Sequence, residues 1–285
     1  MTAIAMEMDK RNKHVNETGD IPKQRKKHIQ HKIRIGTWNV RGTFEEGALK
    51  HLINETRKYN LDVVAIQETK QKGKITTEIE DHMFFNSGVE NRMLGVGFLV
   101  NNIYKDSVIE FEGISDRLCK IRIRGKYRKL TLINAHAHSE DKDEDIKTRF
   151  YEELDEVLNK IPKFDIKCLI GDMNAKVGRE EEYSVTTGGK SLHKVSNDNG
   201  KRLIEFALEN SMKIVSTAFD HKDIHKETWI APNGLTKNQI DHVLIEMKHA
   251  KNITNVRSYR GADADSDHSL VRDETCKKYN KCSKL

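Results

Sequence analysis

The stretch Ile166-Lys167-Cys168-Leu169-Ile170-Gly171-Asp172-Met173-Asn174 begins as a short apolar run and turns polar after a glycine. A run of this length and composition suits a buried β-strand. Asp172 and Asn174 then stand just beyond the strand's end. The same punctuation recurs along the chain. Asn39 follows Ile33–Trp38, Glu68 follows Val63–Ile66, and His136 follows Leu130–Asn134. Two further segments have the order reversed. Asp241 opens Asp241-His242-Val243-Leu244-Ile245, and Asp267-His268 precede Ser269-Leu270-Val271. Strand ends on one side of a sheet converge on a single rim, where polar groups bind a ligand without being buried in the core.

The intervening segments supply the rest of an α/β chain. Helical spacing over Glu45–Tyr59 places Ala48, Leu49, Leu52 and Ile53 on one face. The acidic segment Ser139–Asp145 suits a helix start, and Phe150, Leu154, Val157 and Leu158 carry that helix to Pro162. A third helix is predicted over Lys201–Asn210. Further strands are predicted at Gly95–Val100, Leu118–Arg124, Lys213–Ser216 and Glu227–Ile230. The segment Gly178–Asn199 is rich in Gly, Ser, Thr and Asn and reads as a long loop. Strands and helices alternate, but several strands follow one another directly. That mixture implies two packed sheets with helices outside.

The rim residues share a chemistry. Glu68, Asp172, Asp241 and Asp267 are hard oxygen donors, suited to Mg²⁺ or Mn²⁺ rather than zinc. His268 can exchange a proton near neutral pH, and a neighbouring carboxylate would fix its tautomer. Asn39 and Asn174 offer hydrogen bonds without charge. Together these are the parts needed to hydrolyse a phosphodiester. Each residue also has an ordinary reading: a turn residue, a helix cap, or a satisfied core histidine. Their joint placement favours function. Trp38 and Trp229 read first as packing residues, with a minority base-contacting role for Trp229. His221, His225 and His242 sit in separate contexts and read as surface residues.

Thr37-Trp38-Asn39-Val40-Arg41-Gly42, Ile66-Gln67-Glu68-Thr69, Leu169–Asn174, Gln239-Ile240-Asp241-His242 and Ser266-Asp267-His268 resemble, in order and spacing, the motifs of the endonuclease/exonuclease/phosphatase superfamily. Asn134-Ala135-His136-Ala137 and Phe150–Leu154 look closest to endonuclease domains of non-LTR (LINE-type, RTE-like) retrotransposons. The resemblance implies a four-layered α/β sandwich of two mixed sheets flanked by helices, as in deoxyribonuclease I. It implies a Mg²⁺-dependent endonuclease that nicks DNA and leaves a 3′-hydroxyl. By residue, it puts the metal at Glu68, with Asn39 and Asp267 beside it. Asp172 would orient or deprotonate the attacking water, and Asn174 would steady it. His268, paired with Asp241, would stabilise the phosphoryl charge or act as acid, and His136 would contact phosphate. Arg41, Lys70, Lys72, Arg92 and Trp229 would face DNA. The alternatives are a phosphodiesterase or phosphatase of the same superfamily acting on another phosphoester, and an inactive, domesticated DNA-binding module.

Three departures stand out. Arg41 occupies a place that is acidic in some members, and His138 one that is usually proline. After Val271 the expected apolar strand is replaced by Arg272-Asp273-Glu274-Thr275, which predicts a short, weakened last strand and a frayed tail from Asp273.

Composition bounds the reading. The 285 residues carry 50 Lys plus Arg against 44 Asp plus Glu, a net charge of +6 that permits a nucleic-acid partner without establishing one. Residues 1–31, with Lys23-Gln24-Arg25-Lys26-Lys27-His28, read as a disordered basic arm, 32–275 as one catalytic domain and 276–285 as a polar tail. Cys119, Cys168, Cys276 and Cys282 form no CxxC pair, so no zinc or disulfide framework is expected. No apolar run approaches the roughly 18–20 residues of a membrane span, and no secretory signal is visible. An intracellular, nuclear location is therefore expected, with no membrane and no obligate protein partner.

Overall fold

The computed structural model describes residues 33–88 and 93–275. The basic arm, Arg92, Cys276, Cys282 and the C-terminal tail lie outside the described residues.

The first half of the chain builds one sheet. β1 (Ile35–Asn39) leads through helix α1 (Ala48–Lys58) to β2 (Val63–Gln67), β3 (Ile75–Ile79), β4 (His82–Asn86) and β5 (Val96–Asn101). The chain then crosses to a second sheet through β6 (Val108–Gly113), β7 (Leu118–Arg124) and β8 (Lys129–His136). Helix α2 (Glu144–Lys160) follows, then β9 (Ile166–Asp172), the single turn α3 (Ser184–Thr187) and helix α4 (Asp198–Glu209). β10 (Met212–Ile214), the short pair β11 (Trp229–Ile230) and β12 (Lys237–Asn238), and β13 (Asp241–Glu246) come next. β14 (Ile253–Tyr259) and β15 (Leu270–Thr275) return to the first sheet. That sheet has seven strands in the order β14-β15-β1-β2-β5-β4-β3, and the second has six in the order β10-β13-β9-β8-β7-β6. β1–β2 and β8–β9 are parallel, each bridged by a crossover helix, while the other ladders are antiparallel.

Strand alternation sorts the core into three layers. Ile35, Val63, Ala65 and Phe98 face Ile121, Leu132, Cys168 and Val243 between the sheets. Trp38, Val64, Ile66 and Leu99 turn the other way and take Leu52 and Ile53 of α1. Ile133, Leu169 and Leu244 take Phe150, Leu154 and Leu158 of α2 and Leu203, Ile204 and Ala207 of α4. The result is the expected four-layered α/β sandwich. The central strands of both sheets are covered on both faces, which is why they read as continuous apolar runs.

Helix ends follow local chemistry. α1 begins after Gly47, at φ 86°, and ends in Arg57 and Lys58, which complement the negative end of its dipole. α2 has Glu144 and Asp145 in its first turn and stops before Pro162. Asn197 caps α4 by accepting from Gly200 N at 2.8 Å.

The last strand corrects the sequence reading. Despite its charged residues, β15 pairs on both sides, with β1 and with β14. Arg272 stacks on Tyr259, its guanidinium carbon 4.8 Å from the ring centre. Asp273 is buried, and its Oδ1 accepts from Ile35 N at 3.0 Å, while its Oδ2 has no partner. Burial pushes the Asp273 carboxyl up to about 7. The unfolded carboxyl titrates near 3.9, so the folded state binds this proton more tightly. Its contribution to stability is complete below about pH 4 and is lost as the pH rises toward 7. Asp273→Asn keeps an acceptor for Ile35 N and cannot ionise. It is expected to exceed the wild type in stability at pH 8 by about 2–4 kcal/mol and to match it near pH 4. Urea midpoints at the two pH values measure this, and parallel pH profiles would refute it.

Candidate active site

The parallel and antiparallel registers deliver the polar strand ends to one rim. Asn39 pairs with Gln67, so Glu68 lies one residue past β2 beside the end of β1. His136 pairs with Asp172, and Asp172 pairs with Asp241. The segment before β15 returns antiparallel to β1 and is tied there, with Ser266 Oγ donating to Asn39 O at 2.7 Å. The Trp38 indole donates to His268 O at 3.0 Å, so Trp38 packs in the core and holds the His268 backbone.

Backbone geometry is unusual where the chain leaves the strands. Arg41, Glu68, Lys70 and Asn174 have φ of 55°, 54°, 52° and 47°, a region that non-glycine residues seldom adopt. Strain of this kind gathers where a surrounding scaffold fixes functional side chains. Gly171 is required for a different reason. A Cβ there would lie 1.9 Å from Ala135 O, so only glycine lets β8 and β9 pair at this point.

Asn39, Arg41, Glu68, Lys70, His136, Asp172, Asn174, Trp229, Asp267 and His268 line one open cleft of about 400 Å³. Asp241 sits behind it, fully buried, and Lys72 is exposed outside it. At the centre, Asn39 Nδ2 donates to Glu68 Oε1 and to Asp172 Oδ2, each at 3.0 Å. Asn39 Oδ1 accepts from Arg41 N at 3.2 Å, so this amide links two carboxylates. Lys70 Nζ lies 3.1 Å from Glu68 Oε2. Asp172 Oδ1 accepts from Asn174 N at 3.0 Å, and Asn174 Nδ2 donates to Ala137 O at 3.1 Å. His268 Nδ1 contacts Asp241 Oδ2 at 3.0 Å, and its Nε2 lies 3.7 Å from Asp172 Oδ2. His136 Nε2 lies 3.8 Å from the same oxygen. Trp229 Nε1 donates to Asp267 Oδ2 at 3.0 Å, and Arg41 approaches that oxygen at 3.8 Å.

The charges are differentiated by environment. Burial and the nearby Asp241 carboxylate push Asp172 above the usual carboxyl range. Burial opposes charge on His268, but Asp241 and Asp172 outweigh it and raise the imidazolium pKa to about 9. Burial likewise opposes the Glu68 carboxylate, but the Asn39 amide, His136 and Lys70 outweigh it and hold its pKa low. Burial lowers the pKa of His136 and favours the neutral ring. A base with raised affinity for a proton thus lies beside a histidine that keeps its own.

All donors that face the cleft from Glu68 and Asp267 are carboxylate oxygens, the set a hard divalent cation takes. Asp172, Asp241 and His268 also offer one donor atom each within 4.8 Å of one another. There the His268–Asp241 hydrogen bond already occupies a carboxylate oxygen and a ring nitrogen.

The sequence reading missed three supports. Arg117 lines the cleft and donates to His136 O at 3.0 Å. Thr228 Oγ1 accepts from Ile240 N and Asp241 N and so places Asp241. Gln67 Nε2 donates to Asn134 Oδ1 at 2.6 Å, and Asn134 Nδ2 donates to Ile66 O and Gly97 O, joining the sheets beneath the rim. Polar residues inside apolar strands were the available signal for Gln67 and Asn134. His242, read as a surface residue, is instead fully buried between Ser216 Oγ at 2.9 Å and Ala175 O at 2.8 Å. Burial lowers its pKa to about 4, so it is a neutral core residue. His138, at the unusual position, packs edge-on against Phe150 at 6.0 Å.

The family model for the Endonuclease/Exonuclease/phosphatase family matches residues 36–268, the span that contains every rim residue. The chain belongs to this family. Endonuclease/exonuclease/phosphatase members are hydrolases of phosphoester bonds. The chain is 34% identical over 238 residues to craniofacial development protein 2 of Bos taurus, and 33% identical to that of Tragulus javanicus. It spans about two fifths of the length of these relatives, while the match covers 83% of the chain itself. Among solved structures, the endonuclease domain of TRAS1, a telomere-specific non-LTR retrotransposon, superposes with a TM-score of 0.61 at 15% identity, covering 87% of this chain and 100% of that one. The catalytic domain of Xenopus laevis APE2 gives 0.65 at 15%, covering 88% and 94%. An AP endonuclease of Leishmania major gives 0.64 at 13%, covering 86% and 87%. At these identities the structures attest the family's fold. No helix among the described residues is long and apolar enough to cross a membrane.

Proposed function

We propose that the chain is a Mg²⁺-dependent endonuclease that nicks DNA, leaving a 3′-hydroxyl. The observation that carries this reading is the arrangement around Asp172. Its carboxylate touches Asn39, adjoins His268 and opens onto a cleft that also presents Glu68.

Each residue then has a step. Asp172, with its raised pKa, takes a proton from a water as that water attacks phosphorus. Asn39 and Asn174 fix the Asp172 carboxylate, so it meets the water without reorganising. In-line displacement sends the leaving 3′-oxygen to the far side of phosphorus from Asp172, where it takes its proton from solvent to become the 3′-hydroxyl. His268 lies only 3.7 Å from Asp172, so its imidazolium meets a non-bridging oxygen on the attacking side. Asp241 keeps that imidazolium charged and oriented. Glu68, with Asp267 beside it, would hold the divalent cation, which supplies neutralisation of developing phosphoryl charge. Arg41, Lys70 and Arg117 add positive charge along the cleft for flanking phosphates. The open, largely polar cleft accommodates a polymer backbone.

Supercoiled plasmid tests the reading. The wild-type protein is expected to nick it in Mg²⁺ and not in EDTA, and a polymerase should extend the nick directly. His268→Ala should lower the rate by about 10²–10⁴-fold. DNA binding without turnover, or cleavage only of a small phosphoester, would overturn it.

A further inference from the structure

The pole of the molecule opposite the catalytic rim carries a chemistry of its own. β8 runs from Lys129 to His136 and β9 from Ile166 to Asp172, and both end at the rim. Their starts therefore lie roughly 20 Å from it, at about 3.3 Å per residue. Two turns meet there. Residues 125–128 join β7 to β8, and a Cβ on Gly125 would lie 2.4 Å from Arg128 O, so glycine lets this hairpin close. Pro162 O accepts from Asp165 N at 3.0 Å and closes the second turn, with Phe164 at its tip. Arg122 on β7 ties the two together. Its Nε and Nη2 donate to the two Asp165 carboxylate oxygens at 2.5 and 3.0 Å.

Between the turns is a cavity of about 450 Å³. Two rings flank it, Tyr127 at 73% exposed and Phe164 at 82%. Lys126 Nζ lies 5.1 Å from the Tyr127 ring centre and covers one of its faces. Arg128 and Lys129 line the cavity, and the exposed Arg124 and Lys163 adjoin it, Arg124 opposite Lys129 in the ladder. Asp165 is the one carboxylate among the described lining residues, and Arg122 and Thr131 Oγ1 already occupy it. Arg124, Arg128 and Lys163 form no ion pair among the described residues, so their charge is left for a partner.

Exposed ring faces among unpaired cations match single-stranded nucleic acid, in which phosphates meet the cations and base faces meet the rings. An acidic protein would use the cations and leave the rings without a role. A lipid surface takes apolar groups from a protruding face, whereas these rings flank a concavity. A duplex hides its base faces. No Ser, Thr, Asn or Gln stands among the described lining residues to meet a 2′-hydroxyl, which favours DNA over RNA.

We propose that this pole is a second nucleic-acid site, which binds single-stranded DNA. A base stacks on Phe164, Tyr127 offers its uncovered face to a neighbouring base, and Arg124, Arg128 and Lys163 hold the backbone. The site is separate from the catalytic cleft and does not depend on what the cleft cleaves. A strand bound here leaves the cleft open, so one molecule holds a single strand and a second DNA segment at once.

The test is fluorescence anisotropy of a short oligothymidylate with the full chain in EDTA. Phe164→Ala should weaken binding about tenfold, and Phe164→Trp should retain it. Combining Arg128→Ser with Lys163→Ser should lower the log–log salt slope by about 1.4. Ultraviolet cross-linking should attach the oligonucleotide to peptides containing Tyr127 or Phe164. Plasmid nicking by Phe164→Ala should match the wild type, which separates this site from the cleft. Unchanged oligothymidylate affinity in Phe164→Ala would overturn the site, as would cross-links confined to rim peptides. Tighter binding of oligouridylate would overturn the assignment to DNA. Capture on phosphatidylserine vesicles that oligothymidylate does not compete away would make the pole a lipid surface instead. A wild type that does not nick, yet binds oligothymidylate through Phe164, keeps the site and removes only the nuclease reading.

Discussion

Asp172→Asn is expected to lower the rate of DNA nicking by about 10³-fold or more while leaving the protein folded and able to bind DNA. The substitution is nearly isosteric. It retains an oxygen to accept from Asn174 N, which now meets Asp172 Oδ1 at 3.0 Å. What disappears is the ability to accept a proton from water, together with the hydrogen bond that Oδ2 accepts from Asn39 Nδ2. Stability should move the other way. In the fold, burial and Asp241 disfavour the charged Asp172, so a neutral side chain removes that penalty. DNA affinity should hold or rise, because one negative charge leaves a cleft that must accept phosphate. The combination of lost turnover, retained binding and a raised melting temperature distinguishes a catalytic carboxylate from a structural one. Substantial remaining activity would remove Asp172 from the mechanism.

Gly171→Ala is expected to be the most destabilising single-methyl change near the site, costing about 3–5 kcal/mol. The new Cβ would sit 1.9 Å from Ala135 O and 2.8 Å from Ala135 C, and both are backbone atoms that no rotamer change can move. The residue also has φ of 151°, a conformation costly for any side chain. To relieve the clash, β8 and β9 must separate where His136 pairs with Asp172. A displacement of about 1 Å there is enough to cost on the order of 10²-fold in rate. Urea denaturation and nicking assays together measure the effect. A variant with the wild-type midpoint would show that the strands pair differently from the register described.

Much of this was legible in the sequence because the central strands are covered on both faces. Val63–Ile66 and Cys168–Ile170 have no solvent side, so their apolar runs stand out and their polar ends are conspicuous. The strands that escaped notice lie mostly at sheet edges. β3, β6 and β14 each have one unpaired side and alternate with Thr, Glu, Asn or Arg, which blurs the signal. The polar residues of β15 hide the strand because their partners lie far away in sequence: Ile35 N reaches Asp273, and Tyr59 O accepts from Arg272 at 3.0 Å. His242 was misjudged for the same reason, since Ser216 and Ala175 are distant in sequence. The motif residues could be assembled from order and spacing. Arg117 and Thr228 belong to no such pattern, and only the folded register shows what they hold.

The pairing of β1 with β15 has a consequence for biosynthesis. β1 leaves the ribosome well before its partner on one edge, which is the last strand among the described residues. Ile35 and Asp273, joined by a hydrogen bond, are 238 positions apart. During translation that flank of β1 must wait, exposed to other nascent chains, until the 238 positions that separate Ile35 from Asp273 have been made. His268 arrives on the same late segment. Closure of the sheet and arrival of the His268 imidazolium therefore coincide, and a chain synthesised only as far as β14 has neither.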